Sequence, residues 1–157
     1  MKKFLFLDFD GVITTLRSKW RLDPDKLALL GEILDNTNAS IIISSSWRLT
    51  SLETTLARLK DTTFYFNNNI AFPYCDKIIG VTERLERCKC LDLRRRGYEI
   101  KLWLTNNVID EDYTYCILDD DPDMLKEQLP YFINTDWETG LSEDNVRQAI
   151  NILNRII

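Results

Sequence analysis

Two apolar rhythms take turns along this chain: short continuous runs of the kind buried in a parallel sheet, and positions spaced three and four apart as on one face of a helix. Lys3 to Phe9, centred on Phe4-Leu5-Phe6-Leu7, reads as a strand. Asp23-Pro24-Asp25 then supplies an N-cap with proline at the first helical position, and Leu27, Leu30, Ile33 and Leu34 follow at helical spacing until Asn36 to Asn38. Ser40 to Ser45 encloses Ile41-Ile42-Ile43, a second strand, and Thr50 or Ser51 caps a helix running to Lys60. From Asp61 to Cys90 the pattern is rich in Asn, Phe and Tyr and predicts only one strand, Lys77 to Val81, so this stretch is expected to be a small insertion or flap. A helix is expected over Arg94 to Leu104, ended by Asn106-Asn107. Strands follow at Tyr113 to Leu118 and Phe132 to Thr135, and Ser142 caps a last helix carrying Val146, Ile150, Leu153 and Ile156-Ile157. Strands alternating with helices predict crossover units and a parallel sheet covered on both faces, an α/β fold.

With 157 residues the chain is expected to form one domain over 1–157 with a real core. No internal repeat or low-complexity linker divides it. Twenty basic against 25 acidic residues give a net charge of −5, which argues against broad non-specific nucleic-acid binding but leaves room for a local basic patch. Histidine is absent altogether. That excludes Ser-His-Asp and Cys-His catalysis and nearly all His-containing metal sites, so any chemistry must run on carboxylates, hydroxyls, thiols, Lys or Arg. The start, Met1-Lys2-Lys3 and then Phe4 to Leu7, imitates a secretory signal, but Asp8 ends the apolar run well short of the roughly 7–15 residues a signal core needs. Four cysteines without such a signal fit a reduced, cytoplasmic compartment.

Candidate chemistry gathers where the strands stop. Ligands of open α/β sheets bind outside the carboxyl ends of the strands. Here those ends read Asp8-Phe9-Asp10-Gly11, Ser44-Ser45-Ser46 and Asp119-Asp120-Asp121. Each has a structural reading of its own: Asp10-Gly11 as a hairpin turn, the serines as partners of loop backbone, the aspartates as a turn and helix cap. Their coincidence on one sheet favours a site. Carboxylates brought together repel unless a cation joins them, and an all-oxygen ligand set selects a hard ion, Mg²⁺.

Asp8-Phe9-Asp10-Gly11-Val12, the serine after the next strand and the later Asp119-Asp120 resemble the haloacid dehalogenase (HAD) superfamily of phosphohydrolases. Ser45-Ser46-Trp47-Arg48, Gly80-Val81-Thr82, Arg96 with Glu99-Ile100 and Trp103-Leu104, Ile117-Leu118-Asp119-Asp120, and Gly140-Leu141 extend the likeness over nearly the whole chain. That series is similar to the HAD domains of Swiss-army-knife RNA repair proteins. The resemblance implies a three-layer α/β/α Rossmann-like fold with strand order 5-4-1-2-3, and a tight helical turn and small hairpin flap after the first motif. It implies Asp8 as the nucleophile that takes a phosphoryl group and Asp10 as the acid/base. It also implies Mg²⁺ held by Asp8, the Asp10 backbone carbonyl and Asp120 or Asp119. A hydroxyl from Ser45 or Ser44 would orient a phosphate oxygen, with Ser45 favoured because Ile41 to Ser44 then forms the usual run before it. Arg96 would bring positive charge to the phosphate, where the superfamily more often has lysine; Lys101 and Arg95 are the alternatives.

Two function classes remain. One is a Mg²⁺-dependent phosphomonoesterase acting on a phosphorylated small molecule or on RNA or nucleotide phosphate ends. The other is a non-catalytic phosphate-binding or partner-docking domain, against which the paired Asp8 and Asp10 speak. A phospho-receiver domain would need an aspartate where Ser44-Ser45-Ser46 stands. Only 33 residues separate Asp10 from Ser44, so no large cap domain fits there and an open cleft is expected. Cys88 with Arg94 and Cys90 with Arg96 have the Cys-x₅-Arg spacing of cysteine phosphatases but no glycine between them, and Cys75, Cys88 and Cys90 lack a fourth zinc ligand. Trp47, Trp103 and Trp137, with Tyr65, Phe66 and Tyr74, are candidates for base stacking or for packing.

Overall fold

The structure is a computed structural model, and it describes residues 1–85 and 95–155. Five strands, β1 (Lys2–Leu7), β2 (Ser40–Ile43), β3 (Ile78–Val81), β4 (Tyr113–Asp119) and β5 (Phe132–Asn134), form one sheet in the order β3-β2-β1-β4-β5. All four pairings are parallel, which gives the 5-4-1-2-3 order that the resemblance implies. Among the described residues, α1 (Pro24–Thr37), α2 (Leu52–Lys60) and α3 (Arg95–Asn107) connect successive strands, and α4 (Glu143–Leu153) follows β5.

Strand alternation splits the apolar residues between the two sheet faces. Leu5, Leu7, Ile41, Ile43, Cys116 and Leu118 pack under α1, α2 and α4 through Leu30, Ile33, Leu59, Val146 and Leu153. Phe4, Phe6, Ile42 and Ile117 face α3 through Ile100, Trp103 and Leu104. The result is a three-layer α/β/α Rossmann-like domain fold without a large cap. Phe6 meets Trp103 and Tyr115 edge to face at centroid distances of 5.6 and 6.0 Å. Each such fully buried side chain contributes roughly 1.5–3 kcal/mol.

Local signals fix the helix ends. The Asp23 side chain accepts from the Asp25 N–H ahead of α1, and Asn38 closes the helix in the left-handed region at φ 54°. Ser51, not Thr50, caps α2 in a reciprocal pair with Thr54, and Ser142 does the same for α4 with Asn145. Helix α3 runs three residues beyond the expected Leu104, to Asn107. Its expected start, Arg94, lies outside the described residues, as do Ile156 and Ile157; α4 stops at Leu153.

The Asp10-Gly11 turn is not a hairpin between two strands. The N–H groups of Val12, Ile13 and Thr14 all donate to the Phe9 carbonyl, a tight helical turn that Gly11 permits at φ 78°. An excursion from Thr14 to Leu22 comes next, closed by an antiparallel bridge between those two residues. The described part of the stretch expected as a small insertion or flap, up to residue 85, packs against the domain through several residues. Phe72 is buried, the Asn67 amide donates to the carbonyls of Arg58 and Asp61 at the end of α2, and Leu22 N–H donates to the Phe66 carbonyl.

Candidate active site

Four loops meet at the carboxyl edge of the sheet. Asp8 follows β1 directly and stays in register with β4, its N–H donating to the Leu118 carbonyl at 3.0 Å. Asp119 is the last residue of β4, and Asp120 is the next. Ligand oxygens of Asp8, Asp119 and Asp120 all lie within 4.8 Å of one another. The Asp120 carboxylate sits where a Cβ on residue 11 would fall, so only glycine leaves it room. Arg96, in the first turn of α3, reaches this cluster: its guanidinium is 3.8 Å from Asp8 Oδ1 and 3.6 Å from Asp119 Oδ2.

Fully ionised, three carboxylates against one guanidinium would leave two uncompensated negative charges in a site where Asp8 is 5% and Asp119 0% exposed. Burial pushes both carboxyls well above the usual aspartate range, mutual repulsion adds to it, and Arg96 opposes it. Asp120 is raised as well, by burial first. Burial works against the charge on Arg96, but Asp119, Asp8, Asp123 and Glu99 together raise its pKa and hold it as a cation. Asp119 Oδ2 is buried without a hydrogen-bond partner. An orphaned carboxylate oxygen, an all-oxygen donor set and a charge deficit of two fit a small divalent cation such as Mg²⁺.

Asp10 is placed differently. Its Oδ1 accepts from Thr14 Oγ1 at 2.7 Å and from Trp47 Nε1 at 3.0 Å, so its carboxyl is held by two donors beside the three-carboxylate cluster, and its charge adds to the rise at Asp120. Ser44 and Ser45 are both fully buried past the end of β2. Ser45 lies beside Asp8 and acts to lower its pKa, and its oxygen accepts from the Trp47 N–H, whereas Ser44 Oγ has no hydrogen-bond partner. Of the alternatives to Arg96, Lys101 pairs with Glu127 at the surface and Arg95 leans toward Glu99; neither reaches the cluster.

Residues to which the sequence assigned no role hold the site in place. Arg48, buried, donates to the carbonyls of Ser44 and Ser45 and forms a 2.7 Å ion pair with buried Glu99 of α3. Glu99 Oε1 in turn accepts the Leu85 N–H. Asp123 accepts the Arg96 N–H at 3.1 Å and its carbonyl takes the Gly97 N–H, so it caps α3 and aims Arg96. Its carboxyl is pushed up to about 6 by burial first. The Ser-x-x-Arg spacing and the string of aspartates after β4 were the available signals. Trp47 and Trp103 are core residues, while Trp137 is exposed. Cys75 donates to the Phe72 carbonyl; Cys88 and Cys90 of the zinc and cysteine-phosphatase readings lie outside the described residues.

This fold and edge define an α/β protein of the HAD, phosphatase-like type. The chain belongs to the family described as the HAD domain in Swiss Army Knife RNA repair proteins, whose model matches residues 4–146. Neither curated proteins nor solved structures give a match. No helix among the described residues is long and apolar enough to cross a membrane.

Proposed function

We propose that this protein is a Mg²⁺-dependent phosphomonoesterase that works through an aspartyl-phosphate on Asp8. The observation that carries the reading is the meeting of Asp8, Asp119 and Asp120 within 4.8 Å beside Arg96. In it, an Asp8 carboxylate oxygen attacks phosphorus and the alkoxide leaves. Asp10, oriented by Thr14 and Trp47, gives that alkoxide its proton and then takes one from the water that attacks the aspartyl-phosphate. Arg96 and a serine hydroxyl, Ser45 or Ser44, bind the phosphoryl oxygens. Mg²⁺, held by Asp8, Asp120 or Asp119 and the Asp10 backbone carbonyl, would neutralise charge on the transferring group. Burial alone favours a protonated Asp8, a poor nucleophile, and a divalent charge bound beside it would favour the ionised form.

The family's RNA-repair context makes RNA or nucleotide phosphate ends the leading substrates, ahead of phosphorylated small molecules, and a cytoplasmic setting suits them. The test is turnover of phosphorylated metabolites and of 5′- and 3′-phosphorylated oligonucleotides with Mg²⁺. Release of phosphate is expected, abolished by Asp8→Asn and crippled by Asp10→Asn. Full activity of Asp8→Asn would refute the mechanism, and phosphate-analogue binding without any turnover would favour a non-catalytic domain.

A further inference from the structure

Past Thr14, the excursion to Leu22 holds none of the residues assigned to the chemistry at Asp8, and the composition of the whole stretch from Gly11 is unlike the rest of the chain. In a protein of net charge −5, residues 11–22 carry Arg17, Lys19 and Arg21 and no acid. Among the described residues, none of the three cations is in an ion pair. They share a cavity of about 230 Å³ with Ser18, Asn68 and Asp23, whose carboxylate is engaged as the cap of α1.

The tip of the excursion is a turn from Ser18 to Arg21, closed by an Arg21 N–H bond to the Ser18 carbonyl. Its central residues, Lys19 and Trp20, both lie in the left-handed region, at φ 56° and 59°. Asn-Gly would hold such a turn with less strain. Lys and Trp occupy it instead, and the Trp20 ring lies parallel to that of Trp137, within 10° and 6.2 Å between centroids. Trp137 is 48% exposed and Trp20 half-buried, so the stacked pair is partly open to solvent. On the other flank Arg21 lies over the exposed Tyr65 ring, 5.3 Å from its centroid, and its Nε is buried without a partner.

Both tryptophans are anchored to the Asp10 turn. Trp20 stands two residues from Leu22, which bridges to Thr14, the residue whose hydroxyl binds Asp10. Trp137 stands two residues from Thr135, whose hydroxyl donates to the Gly11 carbonyl. Two residues span at most about 7 Å of chain, so both tryptophans stand close to the turn that carries Asp10.

We propose that the Trp20–Trp137 pair and the cations Arg17, Lys19 and Arg21 form a docking strip for a single-stranded polynucleotide whose terminal phosphate enters the Asp8 site. A base stacks on the open indole face, and backbone phosphates meet the unpaired cations, the pairing of aromatic platform and basic track that holds single strands without reading sequence. This deepens the phosphomonoesterase reading and rests on it for the position of the chain end.

The test measures fluorescence anisotropy of a labelled, terminally phosphorylated single-stranded RNA with wild type, Trp137→Ala and the Arg17→Gln/Lys19→Gln pair, in EDTA to prevent turnover. In parallel, kcat/KM for p-nitrophenyl phosphate is measured with Mg²⁺. Trp137→Ala should weaken RNA binding about 5- to 150-fold, the loss of one stacked base. The double variant should lower the slope of log affinity against log salt by about 1.4. Both should hydrolyse p-nitrophenyl phosphate at the wild-type rate. Equal RNA affinity in all three proteins overturns the strip, as does a wild type that turns over small phosphoesters but binds no RNA. A wild type that binds RNA through these residues yet hydrolyses nothing supports the strip and refutes the phosphatase.

Discussion

Withdrawing the cation is a sharper perturbation of the carboxylate cluster than removing any one side chain. At separations up to 4.8 Å and an effective dielectric near 20, each pair among Asp8, Asp119 and Asp120 repels by roughly 3–4 kcal/mol. Arg96, at 3.8 and 3.6 Å, returns about 4–5 kcal/mol to each of two of them. Attraction and repulsion nearly cancel, so burial decides, and it raises Asp8 and Asp119 above their unfolded value of about 3.9. From about pH 4 up through the raised native pKa values, the folded protein holds protons that the unfolded chain has released, so stability falls as pH rises. In EDTA the melting temperature should therefore be lower at pH 8 than at pH 5. In the proposed site Mg²⁺ should reverse this, because it would bind the deprotonated carboxylates of the folded protein. At about 100 times its dissociation constant it adds roughly 2.7 kcal/mol, or about 5–11 °C for a domain of this size. Asp120→Asn removes one like charge and one candidate ligand; it should melt at or above wild type in EDTA and gain far less from Mg²⁺. Differential scanning fluorimetry at the two pH values reads all of this. Identical wild-type melting in EDTA and in saturating Mg²⁺ at pH 8 would refute the reasoning.

Two further substitutions test the frame around the site. Glu99→Gln leaves Arg48 buried without its counter-charge, which should cost about 3–5 kcal/mol and about 6–20 °C in thermal melting; an unchanged melting temperature would mean the pair does not tie the serine loop to α3. Trp47→Phe removes one of the two donors to Asp10, and kcat for an alkyl phosphate should fall about tenfold with KM little changed, whereas an equal loss on p-nitrophenyl phosphate, whose leaving group needs no proton, would assign Trp47 to packing alone.

The central strands were legible because buried parallel strands are written as continuous apolar runs: Phe4 to Leu7, Ile41 to Ile43 and Tyr113 to Leu118 are strands in the structure. Asp23-Pro24, Ser51 and Ser142 likewise announced their helices through capping chemistry that is local in sequence. Contacts between distant positions were not legible. Glu99 lies 51 residues from Arg48, and nothing at either position distinguishes a buried ion pair from surface charge. Trp47 looked like a platform for bases, but its indole N–H turns inward to Asp10, 37 residues away. The aspartates from Asp119 to Asp123 suggest a turn and the cap of a later helix, yet Asp123 caps α3, which precedes it in the chain. The 61–77 stretch has neither rhythm because it packs through single aromatic anchors such as Phe72, not through a repeating face. The turn from Lys126 to Tyr131 is a 3₁₀ segment built around Pro130, too short to show a period.

The measurement closest to the central claim traps the covalent step. Asp10→Asn still has the Asp8 nucleophile but cannot activate the water that would clear it, and p-nitrophenolate leaves without a proton. Incubated with p-nitrophenyl phosphate and Mg²⁺ and quenched in acid, this variant should carry one phosphoryl group on the peptide containing Asp8, visible by mass spectrometry, with one equivalent of p-nitrophenolate released in a burst. Steady hydrolysis by the variant with Asp8 unmodified, or a phosphoryl group on any other residue, would contradict the account.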